Sequence, residues 1–135
     1  MERTVLPLQL RRWQTVCKLV HYKDGQYVAE IKLKHIRNVS RQAEKCKNIS
    51  RIMLFGSSTE ERCTDHSDID IAVFGQMPKA KYLGSSEFRR FQDQLFLYDI
   101  NQDYDILYFC DGQKYTDPIM ADINRGTEIY RRFEA

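Results

Sequence analysis

Gly56-Ser57, ten intervening residues, then Asp68-Ile69-Asp70 form the stretch with the most chemistry in this chain. Arg51 to Phe55 ahead of it is a short apolar strand, and Asp68 to Phe74 alternates as a second. Residues i and i+2 of a strand face the same way with Cα atoms about 6.5–7 Å apart, so Asp68 and Asp70 share a face. Bare carboxylates so placed repel; either one keeps its proton or a cation resolves the conflict. The spacing suits a pair of divalent ions about 3.5–4 Å apart held by both acids. Gly56 permits a sharp turn and close approach of a ligand to the main chain. Ser57 and the amides after it are expected at the amino end of a short helix, where phosphate is favoured. A third acid, Asp105, sits among strand hydrophobics in Asp103 to Tyr108, a costly position without a partner. Asp103 shares its face but lies nearer the strand's start and marks the turn. His66, inside the motif, reads as an exposed loop histidine.

The elements that must position these residues follow from periodicity. Leu6, Leu10, Trp13, Cys17 and Val20 suggest an amphipathic helix from Pro7 to Tyr22 stopped by Asp24-Gly25. The alternative is a hairpin of Thr15–Tyr22 and Tyr27–Ile31 about the same turn. Ala29, Leu33, Ile36, Val39, Ala43 and Cys46 form a firmer helical stripe, with Lys32, Lys34, Arg37, Arg41, Lys45 and Lys47 on its other faces. Residues 75–84 read as a loop, and Ser85 or Ser86 caps a helix to Tyr98. Asp103 to Cys110 is a third strand. Asp117-Pro118 starts a short helix through Asn124, Gly126 ends it, and Thr127 to Arg131 is a last strand. Strands mixed with helices throughout predict an α/β (α+β) fold around one small mixed sheet flanked by helices.

Composition narrows the classes. With 135 residues and 42% hydrophobic against 30% charged, the chain reads as one soluble globular domain without need of disulfides. No apolar run approaches the ~20 residues of a membrane span, and no secretory signal is visible, so a cytoplasmic location is expected. Cys17, Cys46, Cys63 and Cys110 are scattered without ligand pairs, which argues against structural zinc. Residues 1–50 carry 11 Lys/Arg and 4 Asp/Glu, residues 51–135 carry 10 and 15. An acidic body can hold cations and a basic leader can meet anions.

The pattern Gly56-Ser57-x10-Asp68-x-Asp70 resembles the signature of the DNA-polymerase-β-like nucleotidyltransferase superfamily, and the chain looks most like its minimal nucleotidyltransferase branch. Four fixed positions at roughly 5–7% usage give about one chance match in 10⁵ per start point. The resemblance covers residues 28–133, which sets residues 1–27 apart as an N-terminal helical extension and 28–135 as the nucleotidyltransferase domain. It implies Mg-dependent transfer of a nucleoside monophosphate from ATP or another NTP to a hydroxyl. Asp68, Asp70 and Asp105 would be catalytic and hold two Mg²⁺ ions, and Gly56 and Ser57 would bind the nucleotide. Small-molecule members of the superfamily carry a second helical domain, for which this length leaves no room, so the acceptor is expected on a partner. For this branch the resemblance implies a small helical HEPN-type protein encoded nearby, in a toxin–antitoxin pair whose antitoxin adds AMP to the toxin.

Two other readings stand beside this one. Glu60 and Glu61 lie where a triphosphate would pass, with Arg62 the only cation of that segment. That charge suits a catalytically weak or inactive protein that binds and inhibits a partner by occlusion. Direct nucleic-acid binding through the basic helix ranks third, because no exposed aromatics interleave the charges and the acidic body opposes a phosphate backbone.

Overall fold

The computed structural model describes residues 16–133. It opens with a hairpin of β1 (Leu19–Lys23) and β2 (Gln26–Ala29). A single 3-10 turn, Glu30–Lys32, leads into helix α1 (Leu33–Glu44). Next come β3 (Ile49–Phe55), a 3-10 turn (Gly56–Thr59) and β4 (Ile69–Gly75). Helices α2 (Lys79–Leu83) and α3 (Ser86–Tyr98) precede β5 (Tyr104–Cys110). Helix α4 (Ile119–Asn124) and β6 (Thr127–Arg131) are the last elements of the described residues.

The main sheet has the order β5-β4-β3-β6. Strand β3 runs antiparallel to both β4 and β6, while β4 and β5 are parallel. This is the small mixed sheet flanked by helices that the alternation of strand and helix patterns implied. Among the described residues no helix is long and apolar enough to cross a membrane.

Strand alternation divides the core. Ile52, Leu54, Ile69, Ile71, Val73 and Tyr108 pack with Ile36 and Val39 of α1 and Phe91 and Leu95 of α3. The opposite face holds a thinner cluster, in which Met53, Phe55, Ala72, Phe74 and Phe109 meet Ile123 of α4. Leu33, Ile36, Val39 and Ala43 of the expected stripe lie on α1, while Ala29 belongs to β2 and Cys46 follows the helix end. The capped start of α3 is as the sequence predicts, with the Ser85 hydroxyl accepting from Phe88 N–H at 3.1 Å.

Five expectations need correction. Residues 19–22 are strand, so the hairpin alternative holds there, while residues 7–15 of the expected helix lie outside the described residues. Asp24 and Gly25 both take positive φ (47° and 77°), the two-residue turn that matches strand twist. The boundary at residue 27 falls inside β2, whose hairpin is tied to β6: Thr127 Oγ1 donates to the Tyr27 carbonyl at 2.9 Å. Within the expected loop 75–84 lies α2, anchored by fully buried Tyr82, whose hydroxyl donates to Glu87 at 2.8 Å. Lys32, assigned by pattern to the solvated side of the stripe, is buried. Asp117 does not cap α4 with its side chain; its carbonyl accepts from Met120 N–H at 2.9 Å and the helix begins at Ile119.

Candidate active site

Asp70 is the second residue of β4 and pairs in register with Asp105 of β5. Neighbouring strands lie about 4.8 Å apart, so two parallel-strand partners project side by side from one face. That face is the thin one, continued along β4 by Ala72 and Phe74 and along β5 by Leu107 and Phe109. Asp68 stands just ahead of β4, exposed, with Ile69 N–H already donating to the Asp103 carbonyl at 3.0 Å. The fold therefore brings all three acids to one end of the β4–β5 pair. Asp105 itself is exposed, because β5 is the sheet's edge strand. The expectation of an acid embedded among buried neighbours gives way to an acid on the rim.

Electrostatics couples the three. Partial burial pushes the Asp70 carboxyl above its ordinary range, and the charges of Asp105 and then Asp68 push it further, with Arg62 opposing. Asp70 is also crowded from β3. Gly56 follows Phe55, the partner of Asp70, and takes φ +72°. A Cβ on Gly56 would lie 2.3 Å from Asp70 Oδ2, so both the backbone angle and the space demand glycine there.

Ser57 is placed differently from expectation. The segment from Gly56 to Thr59 is a four-residue 3-10 turn, too short to carry the helix dipole invoked for phosphate. Ser57 is half-buried, its carbonyl accepts from Glu60 N–H at 2.9 Å, and its hydroxyl lies against the Cys63 thiol. It does not line the cleft beside Asp70.

That cleft has a volume of about 360 Å³ and is walled by Gly56, Glu60, Arg62 and Asp70 on one side and by Asp122 and Arg125 of the α4 end on the other. Arg62 pairs with Glu60, and Arg125 with Asp122. Glu60 thus faces the cleft with its charge matched, whereas Glu61 does not line it; the Glu61 carbonyl accepts from Cys17 N–H at 2.7 Å. Sequence reasoning missed Arg125 and Asp122, which lie more than fifty residues from Asp68 and Asp70. The available signal was Gly126. A Cβ there would lie 2.0 Å from the Leu54 carbonyl oxygen, so the helix end is pressed onto β3 beside Gly56.

Among the described residues, no three His, Cys, Asp or Glu side chains are close enough to hold a metal ion as they stand. The two ions expected from the Asp68–Asp70 spacing therefore find no closed cage. The mutual charge repulsion at Asp70 still fits a cation. Asp68, Asp70 and Asp105 suit it as an open, partial ligand set.

The family model for "Polymerase beta, Nucleotidyltransferase" matches residues 36–134. The chain belongs to that family of nucleotidyltransferases. Comparison with curated proteins finds no match.

Proposed function

We propose that the protein transfers a nucleoside monophosphate, AMP from ATP, to a hydroxyl on a partner protein. The observation that carries this reading is the register pairing of Asp70 with Asp105, with Asp68 at the strand mouth and a cleft on the Gly56 side. The cleft takes the nucleotide, with Gly56 giving close approach and Arg62 and Arg125 offering charge to its phosphates. Asp68, Asp70 and Asp105 would hold Mg²⁺, which supplies neutralisation of phosphate charge and lowers the pKa of an acceptor hydroxyl. The hydroxyl oxygen forms a bond to the α-phosphorus, and the bond from that phosphorus to the α–β bridging oxygen breaks. The bridging oxygen leaves with its electron pair as pyrophosphate. The hydroxyl proton passes to Asp105, whose exposed carboxyl faces solvent and an arriving acceptor. Catalysis of this kind is mainly positioning and charge neutralisation.

The partner is proposed to be a small helical HEPN-type protein encoded nearby, paired as toxin with this chain as antitoxin. That step rests on the resemblance to the minimal branch. The test is incubation of the purified chain with Mg²⁺, the neighbouring helical protein, and ATP labelled at the α- or the γ-phosphate. Label from the α position should appear on the neighbour, label from γ should not, and Asp68→Ala should abolish transfer. No labelling with any of the common NTPs would overturn the reading.

One observation favours a second reading, inhibition by occlusion. The arginines of the cleft are each already paired with an acid, Glu60 or Asp122. On that reading Asp68→Ala and Asp105→Ala leave inhibition of the partner intact; loss of inhibition in either removes it.

A further inference from the structure

Between the acids and the packed core lies a charged group that the proposed chemistry does not use. Lys32, at the end of the turn before α1, is 1% exposed. A buried ammonium has lost the hydration of its charge and persists only where its three N–H groups are all received. Lys32 Nζ donates to the Asp65 carbonyl at 3.2 Å, the Ser67 carbonyl at 2.8 Å and Gln102 Oε1 at 2.6 Å. Three donors meet three acceptors, and none of the three is a carboxylate. For stability alone, an apolar side chain serves such a position as well.

What the ammonium adds is connection. Ser67 immediately precedes Asp68. Gln102 Nε2 donates to the same Ser67 carbonyl at 3.1 Å and to the Asp103 carbonyl at 2.7 Å. The Asp103 carbonyl also receives Ile69 N–H, the first rung between β4 and β5. One buried group therefore gathers the loop that delivers Asp68 and the loop that delivers Asp105.

This matters because β4 and β5 are parallel. They are joined through α2 and α3 and not by a tight turn, so no hairpin sets their register. A slip of one residue would send Asp105 to the helix-packed face. The Lys32 node sits where both strands begin.

We propose that Lys32 is a positioning residue for the acidic site: through Ser67 and Gln102 it holds Asp68 and Asp105 in the alignment that receives a divalent cation. The inference rests on reading the acids as a cation site, and Lys32 itself touches no reacting atom.

The test uses the full chain, with Mn²⁺ followed by electron paramagnetic resonance and amide hydrogen exchange followed at Ile69 and across β3. Lys32→Met keeps the volume of the stem and removes the donors. It should speed exchange at Ile69 by about tenfold, leave the β3 amides unchanged, and weaken Mn²⁺ binding by about tenfold or more. On an Asp105→Asn background the same substitution should cost less than about twofold in Mn²⁺ affinity, because the alignment no longer has that acid to place. Should Lys32→Met not fold, Gln102→Met, which cuts the link to Asp103, carries the same predictions. Unchanged Mn²⁺ affinity with a loosened Ile69, or equal losses on both backgrounds, would reduce Lys32 to a structural role and overturn the proposal. Wild-type chain that binds no Mn²⁺ overturns the cation reading itself and the proposal with it, a result distinct from wild-type and Lys32→Met chains that bind it equally.

Discussion

Asp70 and Ile71 are consecutive on β4 and belong to different faces of the sheet. Ile71 points into the packed side, where α1 and α3 cover the central strands and it is fully buried. Asp70 points to the side where only α4 and a handful of aromatic and sulfur side chains give cover, and the acids lie beyond that cover. The first face concentrates apolar burial and so carries stability. The second leaves Asp70 partly desolvated and repelled by the exposed Asp105 and Asp68, an arrangement that costs stability until a cation or proton arrives. A period of two along one strand thus separates what holds the fold from what the fold presents.

Substitutions on either side should break in opposite ways. Asp70→Asn should lower nucleotidyl transfer by about 10³-fold or more, read as initial rate of α-label transfer, with circular dichroism unchanged. Ile71→Ala should do the reverse: about 3 kcal/mol lost in urea denaturation, with the rate per folded molecule kept. Gly56→Ala lies where the faces meet and should harm both. Its φ of +72° and the Asp70 oxygen in its path predict a loss of about 1–2 kcal/mol and at least about tenfold in rate.

The smallest effect is the most diagnostic of repulsion. Because the folded-state Asp70 carboxyl is raised, the unfolded chain releases this proton first as pH climbs past the ordinary 3.8. The folded chain then binds more protons in that window, and stability falls as pH rises through the raised value. Asp70→Asn carries no charge to repel. In EDTA at pH 7 its Tm should exceed the wild type's by about 1–3 °C, and the gap should close below pH 3.8. An Asn variant less stable than wild type at pH 7 would show that Asp70 is not under repulsion.

The packed face was readable from sequence because its signals are local: the α1 stripe, the Ser85 cap and the alternation of β4 each lie within a dozen residues. The register of Asp70 with Asp105 is not local, yet the acids were identifiable because carboxylates interrupting apolar strands are conspicuous. Three features escaped. The recurrence of Leu10, Trp13, Cys17 and Val20 fits a helix, and the Asp24-Gly25 turn with the contacts of β2 to β6 overrides it from Leu19 onward. Lys32 resembled any solvated lysine, since its acceptors come from loops more than thirty residues away. Arg125 joins the cleft only because Gly126 lets α4 end against β3. In each case the deciding partner is distant in sequence.

The most direct test of the central claim, that the acids of the thin face form one divalent-dependent nucleotide site, is equilibrium binding of ATP with Mn²⁺ and with EDTA. Wild type, Asp70→Asn, Asp105→Asn and Ile71→Val would be compared side by side. The account predicts binding by wild type and Ile71→Val only when Mn²⁺ is present, and a loss of at least about tenfold in each Asn variant. Equal ATP affinity in EDTA and Mn²⁺, or Asn variants that bind like wild type, would contradict it.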